Sequence, residues 1–192
     1  MGGPHVLALV GSLREHSYTR LATAHALRAA EAAGATTELL DLREYDLPPL
    51  NPDVDDQGDS ATVINRVNTA DAVILGSPMY HGSYSGVLKN ALDYCGFDEF
   101  EGKTVGLLAV SGGAFPLTAL EHLRSVCRAL NAWVLPHQAA IPKAHSAFAD
   151  GEFVDTDTAD RVATLGKRVV RYADIEPEPP TFESDQNQGA DD

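Results

Sequence analysis

Apolar residues fall along the chain in two alternating patterns. Val6 to Val10, Ala72 to Gly76 and Thr104 to Val110 are short, nearly unbroken apolar runs, as expected of strands covered on both faces; Thr36 to Leu40 and Ala132 to Leu135 read as two more. Between them lie segments whose apolar residues recur every three or four positions. These predict helices from Tyr18 to about Ala33, from a cap at Asp59 or Ser60 to about Thr69, from Val87 to about Tyr94, and from a cap at Thr156 or Asp157 to about Ala173. A further helix has Pro116 in its first turn and carries Leu117, Leu120, Leu123, Cys127 and Leu130 as one apolar stripe. Gly34 ends the first helix.

Strands alternating with helices at this spacing imply a parallel sheet covered on both faces, a three-layer α/β domain over residues 1–175. Leu47 to Pro52, with three prolines, continues neither regular element and is read as a surface loop. Residues 176–192 open on Glu-Pro-Glu-Pro-Pro and lack a core-forming pattern, so they are expected to be an acidic, disordered tail. Three unusual loops follow strands: Gly11 to Ser17, Ser77 to Gly86 and Ser111 to Ala114. In such sheets ligands bind outside the strand C-termini, so the three loops predict one composite site.

Charge narrows the partners. The chain carries 28 acidic against 14 basic residues, a net charge of −14, which disfavours nucleic acid or an anionic membrane as partner. The excess recurs in Asp53 to Asp56, Asp98 to Glu101 and Asp150 to Asp160, a pattern resembling proteins adapted to high salt. Two cysteines, Cys95 and Cys127, show no disulfide or zinc spacing, and neither a secretory signal nor a membrane span is evident. A soluble cytoplasmic protein is expected.

The chemistry begins in the first loop. Gly11 permits a tight exit from the strand, Ser17 suits an N-cap, and Ser12, Arg14 and Thr19 offer hydroxyls and a guanidinium beside a helix N-terminus, where backbone N–H groups and the helix dipole favour an anion. An ordinary strand-to-helix turn with a capping serine fits this window equally well. Neither GxGxxG nor GxxxxGK[ST] is present, and a hydroxyl-rich loop suits a single terminal monophosphate, which favours FMN over NAD or ATP.

Gly11-Ser12-Leu13-Arg14 with Ser17 and Leu21-Ala22, the run Ser77 to Tyr94 containing Leu88-Lys89-Asn90-Ala91-Leu92-Asp93, and Ser111-Gly112-Gly113 together resemble the NADPH-dependent FMN reductases, over about His5 to Pro136. The resemblance implies a flavodoxin-like fold with strand order 2-1-3-4-5, bound FMN, NADPH or NADH as co-substrate, and a homodimer or homotetramer with the Lys89 to Asp93 helix near a subunit contact. Carried over by position, Ser12, Arg14, Ser17 and Thr19 would hold the phosphate. Pro78, Met79, Tyr80, His81 and Gly82 would run beside the flavin ring, with Ser111, Gly112 and Gly113 on the facing loop and backbone N–H groups of both loops stabilising the reduced ring. Many relatives have an acidic residue in place of Met79 and asparagine in place of His81.

Other readings of single residues stand beside these. Tyr80 can be a rim aromatic, His81 a loop histidine rather than a proton donor, Lys89 with Asp93 a surface pair, and Trp133 is expected in the core. The implied activity is transfer from NAD(P)H through FMN to a small acceptor such as a quinone, azo compound, metal oxyanion or flavin. A flavodoxin-type electron carrier and a non-redox phosphate-ligand binding protein are the alternatives. The acidic surface generates its own prediction: thermal melts in potassium chloride should rise from about 0.1 M toward multimolar salt as repulsion is screened, and a flat series would refute the high-salt reading.

Overall fold

The structure, a computed structural model, describes residues 2–55 and 57–175; the expected disordered tail at 176–192 lies outside the described residues. Five strands, β1 (His5–Val10), β2 (Thr36–Asp41), β3 (Ala72–Pro78), β4 (Thr104–Val110) and β5 (Trp133–Ile141), form one parallel sheet in the order β2-β1-β3-β4-β5. The order and the flavodoxin-like architecture are those expected. No helix among the described residues is long and apolar enough to cross a membrane.

The alternation of side chains along each strand divides the core. On β1, Leu7 and Leu9 face one way with Val73 and Leu75 of β3, under α2 (Ser60–Thr69), α3 (Gly86–Asp93), the single turn α4 (Phe97–Phe100) and α5 (Leu117–Ala129). Val6 and Ala8 face the other way with Ala72 and Ile74, under α1 (Tyr18–Ala32) and α7 (Thr156–Arg171). Every residue of β3 and β4 is buried, which explains why they read as apolar runs rather than as alternating patterns.

Four expectations need correction. Leu117 is 53% exposed, and Ala119 joins Leu120, Leu123 and Cys127 in the buried stripe of α5, because the helix starts at Leu117 with Pro116 outside it as the N-cap residue. Trp133 is 38% exposed at the start of an edge strand rather than core. The fifth strand does not stop at Leu135 but runs through Pro136 to Ile141. Between Val105 and Leu107 the partner on β5 jumps from Val134 to Gln138, two residues against four, and this irregularity on an edge accommodates a proline that has no N–H for the ladder. The last helix also starts earlier, with Asp155 rather than Thr156 or Asp157 as its cap, its carboxylate accepting the Thr158 N–H at 2.8 Å.

After β5 come features with no sequence signal: the turn α6 (Ala144–Ala147) and a hairpin of β6 (Phe148–Ala149) and β7 (Glu152–Phe153). The hairpin packs on α1, Phe148 stacking on Tyr18 at 5.3 Å between ring centroids and Phe153 meeting the edge of His25 at 5.1 Å.

Helices α1 and α7 approach so closely that a Cβ on Gly166 would lie 2.0 Å from the carbonyl oxygen of Ala26. Gly166→Ala gains about 1 kcal/mol of helix propensity but must push two helix backbones apart, which costs roughly 3 kcal/mol. The variant is expected to be destabilised by about 2 kcal/mol in urea or thermal melts; stability equal to the parent chain would show that α1 can back away freely.

Candidate functional site

Where the strands end, buried hydroxyls join the loops. The Gly11 N–H donates to the Gly76 carbonyl at 2.9 Å, continuing the β1–β3 ladder by one residue. Ser85, the N-cap of α3, accepts the Leu88 N–H at 3.2 Å and donates its own hydroxyl to the Gly11 carbonyl at 2.6 Å. The Ser85 N–H donates to Ser77 Oγ at 2.9 Å, and Ser77 in turn donates to the Pro78 carbonyl at 2.9 Å. At Gly11 a Cβ would stand 2.6 Å from that of Leu88, so only glycine allows the first loop to lie this close to α3.

The third loop is fastened the same way. Met79 N–H donates to the Val110 carbonyl at 2.7 Å, and Ser111 N–H to that of Ile141 at 2.9 Å. Ser111 Oγ donates to the Gly113 carbonyl at 2.8 Å, while the amides of Lys143 and Ala144 donate to the carbonyls of Gly113 and Ser111, each at 2.9 Å. The segment after β5 thus becomes a fourth wall.

A cleft of about 240 Å³ opens between these loops. It is lined by Ser12, Arg14, Thr19, Pro78, Met79, Tyr80, Ser111 and Gly112 from the sequence-predicted set, together with Tyr18, Val110, Ala144 and His145. Tyr18 lay in the helical pattern but showed no chemical signal of its own. Ala144 and His145 were hidden behind Pro136, which disguised where the fifth strand ends.

The other predicted residues stand elsewhere. Ser17 caps α1, its Oγ accepting the Arg20 N–H at 3.1 Å, and it borders a neighbouring groove with Glu15 and His16. Gly113 serves through its carbonyl. His81 and Gly82 are the central residues of a tight turn closed by paired bonds between Tyr80 and Ser83, at 2.9 and 3.0 Å, and both have positive φ, 49° and 83°. None of these four lines the cleft.

The two ends of the cleft differ in chemistry. One holds the hydroxyls of Ser12 and Thr19 and the exposed guanidinium of Arg14 beside the N-terminus of α1. The other is a largely apolar wall of Pro78, Met79, Tyr80 and Val110, with Tyr80 51% exposed at the rim. A Cβ on Gly112 or Gly113 would meet no protein atom within 4 Å, so this loop borders open space. Such a donor set fits a ligand with an anionic end and a flat apolar body, which is the chemistry of FMN.

Charge around the first loop is ordered by Arg20, a residue to which sequence reasoning gave no role. Its Nη1 and Nη2 donate to the carbonyls of Glu15 and Arg14 at 3.0 and 2.8 Å, and its Nε lies 2.7 Å from Oδ2 of Asp41. Burial pushes the Asp41 carboxyl up, but bonds from the Arg43 side chain and N–H and the charges of Arg20 and Arg43 outweigh it and hold the group below the usual carboxylate range. The cysteines take no part: burial pushes both thiols up to about 12. Among the described residues no cluster of His, Cys, Asp and Glu could hold a metal ion.

The chain resembles known proteins over most of its length. The model of the family described as NADPH-dependent FMN reductase matches residues 4–146. The FMN-dependent NADPH-azoreductase of Staphylococcus aureus is 36% identical over 140 residues, 70% of this chain and 74% of the relative. Among solved structures, FerB, a flavoenzyme NAD(P)H:(acceptor) oxidoreductase from Paracoccus denitrificans, superposes with a TM-score of 0.76 at 25% identity, covering 88% of this chain and 97% of the other. The NADH:FMN oxidoreductase EMOB shares the fold, with a TM-score of 0.73 at 21% identity over 92% of this chain and 94% of its own.

The left-handed turn generates a prediction about the His81 position. Asparagine tolerates this conformation and β-branched residues do not, so His81→Asn should keep or slightly raise stability while His81→Val lowers it by about 1–2 kcal/mol. Urea melts of the two variants check it; equal stabilities would mean that the turn relaxes out of the left-handed region.

Proposed function

The chain belongs to the NADPH-dependent FMN reductase family, and from that premise we propose that its cleft holds FMN and passes reducing equivalents from NAD(P)H to a small acceptor, a quinone, azo compound, metal oxyanion or flavin. The observation that carries the reading is the meeting, in one cleft, of a hydroxyl and arginine end with an apolar wall. When bound, FMN supplies the hydride chemistry.

The chain's own residues bind and orient. Ser12, Thr19 and Arg14 hold the phosphate at the positive end of α1, while Ser17 fixes the helix start that aims the amides. Pro78, Met79 and Tyr80 support one edge of the ring, and Ser111 and Gly112 the other. Among the loop amides, that of Met79 is engaged with Val110, that of Tyr80 with Ser83 and that of Ser111 with Ile141. Stabilisation of the reduced ring by a backbone donor therefore falls to Gly112, the glycine that lines the cleft, with His81 and Gly82 shaping the turn.

An open cleft bordered by glycines lets the nicotinamide and then the acceptor use one face in turn, the basis of a ping-pong sequence. Assembly is part of the reading. Beside α3, where Lys89 and Asp93 pair along the helix, Leu13, Leu42, Leu47, Pro49 and Val87 line a groove of about 560 Å³ suited to a second copy of the chain.

The purified full chain should be yellow or become so with FMN, and should bleach anaerobically with NADPH or NADH. A chain that took up no FMN at any salt concentration would overturn the reading. A flavin bound but bleached by neither nicotinamide would point instead to an electron carrier.

A further inference from the structure

Arg20 stands in the phosphate loop's helix but reaches backward. Both terminal nitrogens are committed to carbonyls of the loop, at 2.8 and 3.0 Å, and Nε faces Asp41, the last residue of β2. Asp41 is almost fully buried and is also held by Arg43, whose Nε donates to Oδ2 at 3.0 Å and whose Nη2 lies 2.9 Å from that oxygen, the same one Arg20 approaches. We propose that the chain Arg43–Asp41–Arg20 is a clamp that fixes the Arg14–Glu15 turn for an anion, making Arg20 and Asp41 positioning residues for the cofactor phosphate. The proposal rests on the flavin reading above.

Burial cannot hold this turn, since Leu13, Arg14, Glu15 and His16 are all exposed. Its shape therefore depends on the bonds from Arg20. Two consequences follow from peptide planarity. The carbonyl oxygens of Arg14 and Glu15, which would repel an anion, are occupied; and because each N–H points opposite to the carbonyl of the same peptide, the amides of Glu15 and His16 are turned away from the guanidinium. The planar fork is needed. It serves two carbonyls and one carboxylate at once, whereas a lysine ammonium is a single point donor on a flexible stem. The division of labour between the two arginines is then physical: Arg14 lines the cleft, and both terminal nitrogens of Arg20 are taken by loop carbonyls.

The test uses the full chain, without flavin and with FMN or riboflavin, which lacks the phosphate. In Arg20→Gln, backbone order parameters for Leu13 to His16 should fall from the rigid range near 0.85 to below about 0.6 while those of β1 stay high. The dissociation constant for FMN should rise about 10- to 100-fold, the loss expected of hydrogen bonds to charged groups, and that for riboflavin less than about 2-fold. Arg20→Lys should fail to rescue, and Asp41→Asn should reproduce the loss without adding to it in the double variant. Unchanged order parameters and FMN affinity, or an equal loss of both flavins, would overturn the clamp. If the parent chain bound neither flavin, the cofactor reading would fall, and the order parameters would still support or overturn the clamp.

Discussion

Two buried serine hydroxyls, Ser77 and Ser85, set the geometry on which the site depends. Strands that end inside a covered sheet leave peptide groups with no ladder partner, and water cannot reach them. Ser77 and Ser85 satisfy the ones that matter, linking the Pro78 and Gly11 carbonyls and the Ser85 and Leu88 amides in one continuous chain. Each bond contributes only about 1 kcal/mol net, but a single orphaned partner would cost about 1–3 kcal/mol. The first two loops therefore hold a fixed separation, and the cleft between them is a property of the sheet rather than of the loops alone.

Local chemistry was legible in the sequence where it acts locally. The buried strands announced themselves through apolar runs, Ser17 caps a helix that begins where expected, the helix after Ser85 begins within a residue of the expected place, and hydroxyls beside an arginine marked the polar end of the cleft. What stayed hidden acts across the chain. Arg20 and Asp41 are twenty-one positions apart and meet only because β1 and β2 pair in register. Leu117 has the right spacing for a buried stripe and the wrong phase, since periodicity does not say which side the sheet lies on. Pro136 reads as a strand breaker because sequence cannot show that its strand is an edge.

The anion site proposed for this cleft lies on a chain of net charge −14, which needs a physical explanation. Distance supplies part of it: at physiological ionic strength exposed charges farther than about 8–10 Å are largely screened. Short-range geometry supplies the rest. Hydroxyls, the α1 N-terminus and Arg14 act at contact distance, and the nearest buried carboxylate, Asp41, is already bracketed by two guanidinium groups. The acidic surface and the anion site are thus compatible because they work on different length scales.

The skipped register on β5 reaches beyond the local fold. An edge strand displays unpaired N–H and C=O groups that invite another strand to add on. Four residues of β5 are spent against two of β4, and Pro136 offers no donor, so an incoming strand would find the template broken in the first half of this edge and regular only from Gln138 to Ile141. Extension of the sheet on that side is limited to a short stretch. Copies of the chain that associate over the irregular half must do so through side chains, with the hydrogen-bond ladder, and hence the loops it anchors, left undisturbed.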